Sequence, residues 1–298
     1  MHVELTVPGL LAAPPAERLP ALELLLARAH SSRGDAQSLH AWLGEAFGVD
    51  PLPAGALTAG EAGFWLRADP VHLSVMRDRL VLVPVAGLEH AEAQALVDAL
   101  NRHFAGTHEF RVAHPDRWVV RTEAAALDTL SAAEMAGRDI DPQLPGGKWP
   151  ALLNEIQMVL HEHPVNEARE LPVNSVWLWG AGELPAKAAG PWRSVTSAEP
   201  VALGLARLAG IAERAPARSA EDWLQGSPED GRHLVLLEAE HALLEALWFA
   251  PLLAALKSGR IGMLSLHAPD AGLTFEVARG DLRRFWRRAR AVASHAPG

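Results

Sequence analysis

The densest run of side chains able to do chemistry lies at 161–182, HEHPVNEARELPVNSVWLWGAG. His163, Asn166, Arg169 and Asn174 lead into a hydrophobic strand that ends in Gly180-Ala181-Gly182. A glycine turn beyond a strand's carboxyl end is where open α/β sheets bind ligands. Glycines there let backbone N–H groups approach an anion, and an arginine with amide side chains can hold a phosphate or carboxylate. The plainer reading keeps the amides for buried backbone groups and pairs the arginine at the surface. His161 and His163 form an H-x-H pair. Positions two apart diverge on a helix, and a helix end favours histidine, so the pair reads as capping, not as a zinc site.

A second charged run closes the chain. Arg279, Arg283, Arg284, Arg287, Arg288 and Arg290 interleave with Phe285 and Trp286. Read sharply, this is an anion or nucleic-acid contact. Read plainly, Leu282, Phe285, Trp286 and Ala289 pack on a sheet and the arginines are solvated or paired with acidic surface. The net charge is −9, so the plain reading is the expectation and a nucleic-acid partner is not.

Composition bounds the rest. The 298 residues are 49% hydrophobic, enough to bury a large core. With no cysteine, disulfides, thiolate–zinc sites and thiol nucleophiles are excluded. The start, MHVELTVPGLLAAPP, lacks a basic region and a long apolar run, and nothing reaches bilayer-spanning length. The expectation is a cytoplasmic protein. The ten tryptophans against no tyrosine, amid much Ala, Arg and Pro, fit a GC-rich bacterial genome.

The elements that must position these residues follow from periodicity. His2 to Val7 alternates as a strand, and Pro14-Pro15 opens a helix through Leu19, Leu22, Leu25 and Ala29. A loop, 30–35, precedes a helix with Leu39, Trp42, Leu43 and Phe47. Residues 51–62 read as linker. Strands at 64–67, 109–113 and 118–121, a hairpin over 71–85 turning at Asp78-Arg79, and a helix over 89–104 suggest a small α+β insertion at 61–125. After a loop-rich stretch come a helix at 150–161 and an apolar strand at 173–179. Helices at 201–212, 240–256 and 281–292 then alternate with strands at 233–237 and 263–267. Such alternation predicts an α/β fold with a mostly parallel central sheet flanked by helices, built from 1–60 and 126–298.

The wording of the first run is more specific than its physics. HPVN, an arginine, and PVNSVWLWGAG resemble, in order, a run of the archaeal-type cofactor-independent phosphoglycerate mutases, members of the alkaline phosphatase superfamily. LPALELLLAR, SLHAWLGEAFGVDP, FWLRADPVHL and VTSAEPVALGLARLAGI are similar to further segments of that family in the same succession. The resemblance implies an alkaline-phosphatase-like fold and nominates Arg67 as a substrate arginine beside His163, Asn166, Arg169, Asn174, Gly180 and Gly182. It points to a diverged bacterial member of regulatory type.

That family uses two divalent metals, manganese or zinc, and a Ser or Thr nucleophile, because the transferred group is highly charged and a hydroxyl is a poor nucleophile at neutral pH. Its first strand ends in a ligating Asp-Gly; here Pro8-Gly9 stands there. Its Gly-Ser-Asp-Thr nucleophile segment reads Gly34-Asp35-Ala36-Gln37-Ser38, with Ser38 best read as a helix cap. Its L-T-D-H pair reads Leu264-Ser265-Leu266-His267, and its D-E-A-x-H run survives only as Glu238-Ala239-Glu240-His241. Loss of several ligands together defeats a two-metal site. The expectation is a non-catalytic module, without cofactor, that binds a small phosphorylated metabolite between its domains or a protein partner. The alternative is an active mutase with a rebuilt site and manganese or zinc.

Overall fold

The computed structural model describes the chain apart from residues 12–16, 78, 141–143, 145, 227–229, 239–240 and 296–298, and apart from the side chains at 241 and 242. Its strands are β1 (His2–Thr6), β2 (His30–Arg33), β3 (Trp65–Met76), β4 (Arg79–Pro84), β5 (Glu109–His114), β6 (Arg117–Arg121), β7 (Ser175–Gly182), β8 (Ser194–Thr196), β9 (Ala212–Arg214), β10 (Arg232–Leu236), β11 (Met263–Ala268) and β12 (Leu273–Ala278). Its α-helices are α1 (Pro20–Arg28), α2 (Leu39–Phe47), α3 (Ala54–Ala59), α4 (His90–His103), α5 (Ala132–Met135), α6 (Trp149–His161), α7 (Pro164–Glu167), α8 (Pro200–Leu208), α9 (Ala220–Gln225), α10 (His241–Leu244) and α11 (Ala250–Ser258). No helix among the described residues is long and apolar enough to cross a membrane.

Contacts divide the chain into two units, Met1–Asp50 with Lys187–Gly298, and Pro51–Ala186. The second runs past the 61–125 insertion expected from the sequence. The reason is β7. Its five leading residues are all buried, a pattern that suits a central parallel strand or any strand covered on both faces. It pairs antiparallel with β3 and so joins the second unit, together with the α6–α7 segment that precedes it.

The first unit holds a seven-stranded sheet in the order β2-β12-β11-β1-β10-β8-β9. The run from β11 to β9 is parallel, and β12 and β2 add antiparallel at one edge. Val3 and Leu5 of β1, with Val7 just beyond it, face a core shared with α1, α9 and α11, where Leu22, Trp223 and Leu252 are buried. The Pro14-Pro15 helix start lies outside the described residues, and α1 begins at Pro20. Leu19 cannot cap it with a side chain. Glu245 supplies the acceptor instead, taking hydrogen bonds from Ala21 N at 2.6 Å and Leu22 N at 3.2 Å. Glu245 opens a π-helical turn, Glu245–Phe249, that joins α10 to α11, where the sequence suggested one unbroken helix.

The second unit is built on β3. β7 lines one of its sides, and the other is shared between β6 at 65–67 and β4 at 71–76. Pro70 falls in the gap between them, where its missing N–H breaks no ladder. Helices α4 and α6 cover this sheet over Leu96, Leu100, Trp149 and Ile156. Residues 54–59 of the expected linker form α3, packed so closely that a Cβ on Gly55 would stand 2.4 Å from Leu66 Cα.

The expected helix at 281–292 is absent. A 3₁₀ turn, Arg279–Arg283, gives way to irregular chain and a second 3₁₀ turn, Val292–His295. Phe285 and Trp286 are 81% and 66% exposed, so they do not pack on the sheet.

Candidate functional site

In the first unit, three segments converge at the carboxyl ends of β1 and β11. Gly9 N donates to Asp270 Oδ1 at 3.2 Å, joining the end of β1 to the turn after β11. Gly34 N donates to the Gly272 carbonyl at 2.8 Å and Gln37 N to the Pro269 carbonyl at 2.9 Å, bringing in the segment before α2. Gly272 has φ +62°, and a Cβ on it would lie 2.5 Å from the Gly34 carbonyl oxygen, so the join requires glycine. Pro8-Gly9, Gly34 to Ser38 and Leu264 to His267, the three segments singled out in the sequence as altered catalytic elements, therefore meet in the folded chain.

The second and third of these segments border a cavity of about 560 Å³ whose walls include Asp35, Gln37, Trp42, Glu45, His267 and Thr274. His267 packs on Trp42 with ring centroids 5.2 Å apart, its Nδ1 is 3.1 Å from Thr274 Oγ1, and its Nε2 is 3.2 Å from Glu4 Oε2. Arg232 Nε donates to the other oxygen of Glu4 at 2.6 Å. Burial opposes the Glu4 charge, but hydrogen bonds from His267 and Arg232 outweigh it and bring the carboxyl down to about 2. Ser38 Oγ accepts from Ala41 N at 3.2 Å and caps α2. Asp270 Oδ2 is buried with no hydrogen-bond partner among the described residues.

Among the described residues the donor set does not fit a two-metal centre. Pro8 and Leu266 offer no donor atom to a metal, and no three His, Asp or Glu side chains cluster for one among the described residues. The 239–240 stretch and the side chain of 241 lie outside those residues.

The residues nominated for substrate binding all fall in the second unit, not on either side of a domain boundary. Arg67 is 2% exposed; its Nε donates to Asp69 Oδ1 at 2.9 Å, and its guanidinium lies 5.1 Å from the Trp179 ring centre. Trp179 Nε1 in turn donates to Asp69 Oδ2 at 2.7 Å, so one carboxylate neutralises the arginine and satisfies the indole. Asn166 donates from Nδ2 to the Leu160 and Val173 carbonyls at 2.7 and 2.8 Å and accepts Val173 N at 2.8 Å. Asn174 accepts Leu73 N at 2.7 Å and donates to the Leu73 carbonyl at 2.9 Å, completing the strand edge as a backbone amide would. Arg169 spans the entry to α4, donating to Glu92 at 2.9 Å and to the Ala86 carbonyl at 2.9 Å. His163 caps α7, its Nδ1 accepting from Val165 N at 3.3 Å, and burial lowers its pKa.

The two glycines are structural as well. Gly180 has φ +58°, and Cβ atoms at Gly180 and Gly182 would stand 2.6 Å from Ala54 Cβ and 2.7 Å from Pro53 Cβ. They let the α3 segment lie against β7. Sequence reasoning missed Asp69, Glu4 and Arg232; the carboxylates showed only as isolated acids in apolar strands.

The first unit is an α/β assembly with a mostly parallel sheet. No family model matches the chain. A probable 2,3-bisphosphoglycerate-independent phosphoglycerate mutase of Geobacter sulfurreducens is 29% identical over 185 residues, 55% of this chain and 46% of that protein. The 2,3-bisphosphoglycerate-independent phosphoglycerate mutase 2 of Methanothermobacter thermautotrophicus is 29% identical over 147 residues, 44% of this chain and 37% of that protein. The chain thus spans less than half the length of these curated relatives. The solved PH0037 protein of Pyrococcus horikoshii shares the fold, with a TM-score of 0.55 at 12% identity over 93% of this chain and 87% of that one. The chain is a phosphoglycerate-mutase-like protein, related in sequence to the cofactor-independent enzymes.

Proposed function

We propose that this phosphoglycerate-mutase-like chain has lost the two-metal reaction and acts by binding, as a regulatory module for a small phosphorylated acid or for a protein partner. The observation that carries the reading is the chemistry of the three converging segments. Pro8 has no donor atom to offer a metal, Leu266 is a hydrocarbon, and the Ser38 hydroxyl is engaged as the cap of α2. A hydroxyl without a base or a metal beside it does not become a nucleophile.

The residues kept from the family's substrate side support a narrower ligand reading than the sequence suggested. Asn166, Asn174 and Arg169 serve backbone and ion-pair partners. Arg67 is the cation nominated for an anionic ligand, and such a ligand has to displace Asp69 from the guanidinium or share it.

The test is a thermal-shift titration with 3-phosphoglycerate, with and without manganese. A ligand that binds only the folded state at 100 times its Kd adds about 2.7 kcal/mol. A metal-independent shift, lost in Arg67→Met and without mutase turnover, is the expected result. A manganese-dependent shift accompanied by turnover would establish the enzyme instead.

A further inference from the structure

We propose that edge strand β2 and the adjoining segment 283–290 form a docking site for an extended acidic segment of a partner protein, which adds to the sheet beside β2. This goes beyond the binding function proposed above and uses none of its residues.

Three observations carry it. First, β2 is the last strand of its sheet and pairs only with β12 among the described strands. All its residues are exposed and none is proline, so its outer N–H and C=O groups form an open template. Second, the 283–290 segment is fixed at the head of this strand. Arg284 donates to the Arg28 carbonyl at 3.1 Å and Arg287 to the Ala29 carbonyl at 2.7 Å. Between these anchors Phe285 and Trp286 stand in water, packed edge-to-face with centroids 5.3 Å apart. Two aromatic side chains left exposed forgo the gain of burial, and a partner recovers it. Third, the side chains of Arg283, Arg288 and Arg290 are exposed and make no hydrogen bond or ion pair among the described residues.

The charge selects an anionic partner. Residues 279–290 carry six arginines and one aspartate in a chain of net charge −9. A nucleic-acid strand would also be drawn to arginine and tryptophan, but it extends as a polyanion onto a surface that is acidic elsewhere. It also offers no alternating backbone donors and acceptors for β2. An extended peptide fills that edge, and its acids and apolar side chains meet arginine and tryptophan, the residue types that dominate protein hot spots.

Fluorescence anisotropy with the intact chain tests this. The probe is a labelled Glu-Val alternating peptide of about ten residues, longer than a typical strand. The comparison probes are its Lys-Val counterpart, a Glu-Val version with prolines at the central valines, and an oligothymidylate of equal charge. Between about 0.1 and about 1 M salt the Debye length falls from about 10 to about 3 Å, and Glu-Val affinity should fall about tenfold. Trp286→Ala and the triple Arg283→Glu, Arg288→Glu, Arg290→Glu should each weaken it at least about tenfold with melting temperatures unchanged, and proline should weaken it comparably. Equal binding of the Lys-Val peptide, insensitivity to both variants, or no Glu-Val binding at all overturns the proposal. Tighter binding of the oligothymidylate replaces the peptide with nucleic acid.

Discussion

His267 Nε2 lies 3.2 Å from Glu4 Oε2 across the β11–β1 pair, a histidine and a carboxylate meeting on neighbouring parallel strands of one sheet. Arg232 closes on the same carboxylate from β10. The folded state holds Glu4 at about 2, against 4.5 for the free side chain. The stability gained is therefore complete above about pH 4.5 and is lost as pH falls from there towards 2; it amounts to roughly 3 kcal/mol. Urea unfolding between pH 7 and pH 2 should show this loss, and Glu4→Gln should remove most of that slope while destabilising the neutral protein.

A second acid-sensitive stage comes earlier. Burial lowers the pKa of His2, His108, His163 and His295 below the ordinary 6.5, so the fold favours their neutral forms. Their contribution is present above pH 6.5 and declines as pH falls through the lowered values. Melting temperature should begin to drop just below pH 6.5, before Glu4 is protonated. His2→Gln should flatten part of that decline.

The pairing of Arg67 with Asp69 gives a stability prediction independent of any ligand. Asp69→Ala leaves a buried guanidinium without its carboxylate and should cost about 3–5 kcal/mol. Arg67→Met with Asp69→Leu should recover most of it, measured by chemical denaturation.

Asn166 separates a backbone clamp from a ligand contact. Asn166→Ala strands two carbonyls and one N–H of buried chain and should cost about 2–4 kcal/mol. A normal melting temperature in this variant would contradict the clamp.

Ser38 likewise divides cap from nucleophile. Ser38→Ala should cost about 1 kcal/mol of stability through loss of the α2 cap. Any phosphoryl transfer measured in the parent should persist in the variant.

Much of the fold was legible because its elements declare themselves locally. α4 has its apolar stripe, α6 carries Pro150 in its first turn, and β1 alternates. What escaped depends on partners distant in sequence. HSSR has no strand pattern and becomes β2 only because β12 pairs with it. DLRRFWRRAR has helical spacing, yet Arg284 and Arg287 are drawn to the carbonyls at the end of α1, and tertiary anchoring overrides propensity. The altered catalytic segments were readable from motif wording. The engagement of Arg67, Asn166 and Arg169 by protein partners was not, because a polar side chain looks the same in sequence whether it awaits a ligand or holds a loop.

β1 is the central strand of its seven-stranded sheet, and both its neighbours, β10 and β11, lie beyond residue 230. During synthesis, Pro51–Ala186 emerges with all its strand partners inside itself, while β1 waits with both edges bare until residues 232–268 are made. The 51–186 unit is thus free to finish folding before β1 can enter its sheet.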